Sequence, residues 1–177
     1  MLHLNEIVDS SPGPRGGAAR ARDAVLTLSY DERRRSRLLA TLDDGREVAL
    51  MLPRGTVLRH GDRLRGDGGL TVEVRAAAES LSIAATADPH LLTRAAYHLG
   101  NRHVPLEIGG GWVAYAHDHV LDTMVSSLGL DVSPRVAPFE PESGAFQHEG
   151  GGGGHSHGGG RAHHHDHDHG PDHGHRT

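Results

Sequence analysis

The sequence predicts an α+β protein in three parts. These are a small all-β N-terminal domain (residues 1–76), a β-α-β-β-α-β domain (77–147) and a disordered His/Gly-rich tail (148–177). Short apolar runs separated by Gly-Asp and Asp-Gly turns fill the chain as far as about Arg75, the mark of a small all-β domain. Two apolar stripes of helical period, each behind an Asp and ended by a Gly, occur only after Thr86. From His148 onward almost nothing apolar occurs, and that stretch holds ten of the 17 histidines and ten of the 25 glycines.

Each element follows from local chemistry. Leu2, Leu4 and Ile7 suggest a first strand over residues 1–8, and the Pro/Gly/Arg-rich stretch 10–23 reads as a loop. Val25–Leu28 resumes a strand, and the charge run Arg33–Arg37 reads as a solvated edge or loop. Leu38–Leu42 and Glu47–Leu52 flank Asp43-Asp44-Gly45-Arg46, a hairpin signal because Gly accepts the positive φ of such turns. Pro53-Arg54-Gly55 breaks the second of these, and Val57-Leu58, Arg63-Leu64 and Leu70–Val74 give further short strands.

Leu81–Thr86 opens the second domain as a strand. Asp88-Pro89 then reads as an N-cap followed by a proline at N1, where its missing N–H costs nothing. That helix carries Leu92, Ala95, Ala96 and Leu99 on one face and is expected to stop at Gly100. Val104–Ile108, a Gly109-Gly110-Gly111 turn and Trp112–Tyr115 form a hairpin. Asp118 caps a second helix expected to bury Val120, Leu121, Met124 and Leu128 and to end at Gly129, and Val132–Ala137 is the last strand. The order β-α-β-β-α-β is that of a ferredoxin-like domain.

Composition narrows the function. With no Cys there are no disulfides, Cys-ligated metals or thiol chemistry, and every basic side chain other than His is Arg. The net charge of −5 argues against nucleic acid as a partner. No apolar run reaches membrane length and no signal peptide is read, so a cytoplasmic protein with no membrane partner is expected.

Histidine is the residue type left to carry chemistry. In the tail, His148, His155, His157, His163, His164, His165, His167, His169, His173 and His175 offer neutral imidazoles suited to Ni, Cu or Zn, and the Gly spacers let the chain adapt to an ion. In the folded part, His3, His60 and His90 read as solvated. His98, His103, His117 and His119 gather at element ends. His98, in a helix's last turn, is equally explained by the helix dipole. Sequence alone does not assemble these four into one site.

Tyr97-His98-Leu99-Gly100-Asn101-Arg102-His103-Val104-Pro105-Leu106 strongly resembles a motif of the urease accessory protein E family, UreE, and His117-Asp118-His119-Val120-Leu121-Asp122 matches that family's second motif. Leu52–Gly55, Gly61-Asp62, Pro138–Glu142, Gly144-Ala145 and the His tract match as well. Only residues 9–23 look like an insertion of this chain's own. The resemblance implies a non-enzymatic nickel metallochaperone. It would be a homodimer joined through the ferredoxin-like domains, with His103 of each chain as interface ligand and His117 and His119 as weaker surface ligands. Ala116 stands where some relatives carry another His. The cargo would be Ni(II), with Zn(II) or Cu(II) as in vitro alternatives. The partners would be the urease accessory GTPase and the urease apoprotein complex. Competing classes are a nickel or zinc buffer acting through its tail, a metal hydrolase using His117 and His119 with His103, and an RNA-binding module, for which the stacking aromatics and basic face are lacking.

Overall fold

A computed structural model of the chain describes residues 1–9 and 23–143. The first sheet contains β1 (Leu2–Asp9), β2 (Ala24–Leu28), β3 (Arg37–Thr41), β4 (Glu47–Met51), β5 (Arg63–Gly66) and β6 (Thr71–Ala76). Their order is β2-β6-β5-β1-β4-β3, with β1/β4 and β2/β6 parallel. Leu4, Leu26, Val48, Leu50, Leu64, Val72 and Val74 alternate inward from these strands and are fully buried.

The second sheet contains β7 (Ala78–Ala85), β8 (Glu107–Gly109), β9 (Trp112–Ala116) and β10 (Asp131–Pro138), in the all-antiparallel order β10-β7-β9-β8. Helices α2 (Pro89–Gly100) and α3 (His119–Ser127) share a core with it, built on Ala84, Ala95, Leu99, Val113, Tyr115 and Val125. The fold is therefore mixed α+β, with two sheets and few helices among the described residues. The 148–177 tail and most of the 10–23 loop lie outside them.

Several local expectations change. The N-terminal part is not purely β: Tyr30–Arg33 forms a one-turn helix, α1, closed by a Ser29/Glu32 capping box. Arg33 is not solvated but has 0% exposure. Its Nη1 donates to Leu58 O at 3.0 Å and lies 2.7 Å from a Glu140 carboxylate oxygen, and its Nη2 donates to Phe139 O. Burial pushes this guanidinium below its ordinary pKa, and Glu140 opposes that shift. The charge run is thus partly a clasp: the chain leaving β10 returns to the first sheet and is held there. Val57-Leu58 is not a strand. Leu58 instead fills the first core while its N–H bonds Arg33 O at 2.9 Å.

In the second sheet, β8 starts at Glu107 rather than Val104, since Pro105 has no N–H for a ladder and Val104 N–H is used by α2. Val120 is 62% exposed rather than buried, because the inward stripe of α3 runs through Leu121, Met124, Val125 and Leu128.

Candidate metal centre

The histidines sit where helices begin and end. Asp88 starts α2 by accepting from His90 N–H at 2.8 Å, and Asp118 starts α3 by accepting from Val120 N–H at 2.8 Å and Leu121 N–H at 3.2 Å. These backbone donors hold the Asp118 carboxyl below its usual range. His117 and His119 flank that cap, and both are exposed.

The end of α2 departs from expectation. Gly100 does not stop the helix, because Asn101 N–H still bonds Tyr97 O at 3.0 Å and Arg102 N–H bonds Leu99 O at 3.0 Å. Chain reversal comes at His103, with φ +57°, the one non-glycine with positive φ among the described residues. His103 N–H bonds Gly100 O at 2.8 Å and Val104 N–H bonds Leu99 O at 3.2 Å. This is a Schellman closure with histidine in the left-handed position that glycine ordinarily fills. Leu99 and Val104 complete it by packing in the same core. Arg102 Nη1 caps the His98 carbonyl at 2.9 Å. His103 itself is exposed, and half-buried His98 lies edge-on to Tyr97 with ring centroids 5.5 Å apart.

His117 has a different environment. Its Nδ1 lies 3.1 Å from Asp122 Oδ2 and 3.0 Å from Ser82 Oγ. Asp122 Oδ1 accepts from the Tyr115 hydroxyl at 2.9 Å. Tyr115 has 0% exposure, and its phenol pKa is pushed up by burial and by Asp122, so it remains a donor. Asp122 is therefore not the helix-surface residue its position suggests. The signal lay in alternation and register: His117 follows Tyr115 by two residues, just past the end of β9, and Ser82 stands opposite Tyr115.

No group of three or more His, Cys, Asp or Glu among the described residues could hold an ion. Within one chain the structure does not bring His98, His103, His117 and His119 into one site. All ten tail histidines lie outside the described residues. Of the other histidines, His3 Nδ1 pairs with Asp67 at 2.9 Å and His60 Nδ1 accepts from Ala76 N–H at 3.3 Å, both in structural contacts. A cavity of about 440 Å³ over Leu81, Ile83, Trp112 and Ala114 contains none of the four end-of-element histidines. What remains is a set of separate histidines at helix ends.

The chain matches one known family along most of its length. The model for the UreE urease accessory protein N-terminal domain matches residues 5–77, and that for the C-terminal domain matches residues 78–175. This chain belongs to the UreE family. It is 56% identical over 124 residues to urease accessory protein UreE of Alkalilimnicola ehrlichii, covering 70% of this chain and 76% of that one. It is 53% identical over 139 residues to UreE of a Pseudomonas putida strain, covering 78% and 80%. With UreE of Burkholderia ambifaria it shares 54% identity over 126 residues, covering 71% and 62%. As a UreE protein it is an accessory protein and not an enzyme. No described helix is long and apolar enough to cross a membrane.

Proposed function

We propose that this UreE chain is a cytoplasmic nickel carrier that delivers Ni(II) for assembly of the urease metallocentre. In this reading it works as a homodimer through its second domain, whose β10-β7-β9-β8 order with two helices is read as ferredoxin-like. His103 from each chain shares one ion, His117 and His119 offer weaker positions, and the tail imidazoles capture and load. The recipient is the urease accessory GTPase bound to the urease apoprotein.

The observation that carries this reading is the exposed, left-handed His103 at the end of α2. A carrier needs ligands that are fixed yet open to exchange. A catalytic metal instead needs an enclosed set of ligands and a placed base. One imidazole per chain on a hydrogen-bonded helix end, with no third His, Cys, Asp or Glu beside it among the described residues, suits transfer. Neutral imidazole favours Ni and Cu over earlier metals, so selectivity for nickel must rest on geometry and supply.

The test is urease activation in a reconstituted system at limiting Ni(II), comparing the wild-type chain, His103→Ala and a chain with the tail histidines replaced. Under this proposal His103→Ala loads nearly as many ions but activates poorly, and the tail variant loads fewer yet still activates. Equal activation by wild type and His103→Ala would contradict the role given to His103. It would favour instead a nickel or zinc buffer acting through the ten tail histidines.

A further inference from the structure

Among the described residues, His117 is the one of the four end-of-element histidines whose ring nitrogen meets a carboxylate. A neutral imidazole carries one proton on either nitrogen, and the nitrogen without it is the one able to bind a metal. A carboxylate only accepts, so Asp122 Oδ2 at 3.1 Å places that proton on Nδ1. Ser82 Oγ, 3.0 Å from the same Nδ1, offers a second acceptor. Nε2 is left with its lone pair on the exposed side of the residue.

The holder is itself held. Tyr115 donates to the other Asp122 oxygen at 2.9 Å. Ser82 and Tyr115 have 1% and 0% exposure and face each other across β7 and β9. Asp122 sits in the first turn of α3, its N–H bonded to Asp118 O at 2.9 Å. Three packed elements thus converge on one imidazole.

We propose that Asp122, backed by Tyr115 and Ser82, is a positioning residue that makes His117 an Nε2 ligand of fixed tautomer and orientation. This rests on the reading of His117 as a metal ligand. Partners of this kind on a ligating His are worth roughly 10- to 100-fold in affinity, because they fix the ring and raise its basicity. His119 has no such partner among the described residues.

The experiment uses the full chain with ring-15N-labelled histidine and Zn(II) alone as a diamagnetic probe. His117 is assigned from the signals lost in His117→Ala. In the metal-free wild type, Nδ1 of His117 should carry the proton, and zinc should shift Nε2. Asp122→Asn, nearly isosteric, should move part of the proton to Nε2 and raise the zinc midpoint at His117 by roughly 10-fold or more. Tyr115→Phe, which keeps the carboxylate, should raise it less. Unchanged amide shifts in β9 confirm the fold in each variant, and the tail histidines act as a common competitor in all of them. A wild-type His117 protonated on Nε2, or an Asp122→Asn chain with unaltered tautomer and midpoint, overturns the inference while leaving His117 a ligand. His117 signals that ignore zinc in the wild type remove the ligand reading itself.

Discussion

Helices α2 and α3 close with the same pair of backbone hydrogen bonds, yet they place different residues in the left-handed position. At α3, Gly129 has φ +102°, with Gly129 N–H on Ser126 O at 3.0 Å and Leu130 N–H on Val125 O at 3.5 Å. At α2 the same slot holds His103. Both ends pack the same kind of apolar pair into one core, Leu99 with Val104 and Val125 with Leu130. An L-residue in this conformation costs about 1–2 kcal/mol relative to the right-handed alternative, whereas glycine has no Cβ to clash. The α3 end follows the rule for stability and the α2 end departs from it. A departure sustained by good packing points to use of the side chain. Here that side chain is an exposed imidazole.

The comparison can be broken from the α3 side. Gly129→Val should destabilise the protein by about 2 kcal/mol, read as a lower urea midpoint. The cost would be conformational, because a Cβ at Gly129 would meet Leu91 Cδ1 at 3.7 Å, an ordinary contact. Gly129→Asn should cost less than about 1 kcal/mol, since Asn tolerates this region. Equal losses would mean that space rather than backbone conformation sets the preference.

A smaller, acid-dependent effect serves as a control in the first sheet. Asp67 receives the His3 ring nitrogen at 2.9 Å and the His3 N–H at 3.0 Å, and these contacts, the ring one first, hold its carboxyl below the usual range. A lowered carboxylate pKa stabilises the fold above the unfolded-state value of about 3.9, and that contribution disappears as pH falls through the folded value. Wild type should therefore exceed Asp67→Asn in stability at neutral pH, with the gap closing below about pH 3.9. The His103 and Gly129 variants should keep their offsets from wild type across that acid range. A gap that widens on acidification would reverse the sign argued here.

Much of this contrast was legible in the sequence and part of it was not. Asp88-Pro89 and Asp118 announce their helices because capping is local chemistry. Asp43-Asp44-Gly45-Arg46 turns between β3 and β4 for the same reason, with Gly45 at φ +90°. Gly100 misled because glycine is only a common marker of a helix end. The hydrogen bonds run on for three residues and close on a histidine. Arg33 and Asp122 look like surface charges because their partners, Phe139 with Glu140 and His117 with Tyr115, arrive through tertiary packing. No local pattern reports that an arginine will meet the segment that follows β10. The four histidines stand out as candidates in the sequence, but which of them meets a carboxylate depends on tertiary packing and strand register.

The most direct measurement is made on His103→Gly in the full chain. Glycine relieves the left-handed strain but loosens the unfolded chain, so the net gain should be about 0.5–1 kcal/mol by urea or thermal unfolding. The same variant should activate urease poorly at limiting Ni(II) in the reconstituted system. Greater stability together with lost delivery is the predicted result. A His103→Gly chain that is less stable than wild type, or that delivers nickel as well as wild type, would contradict the account.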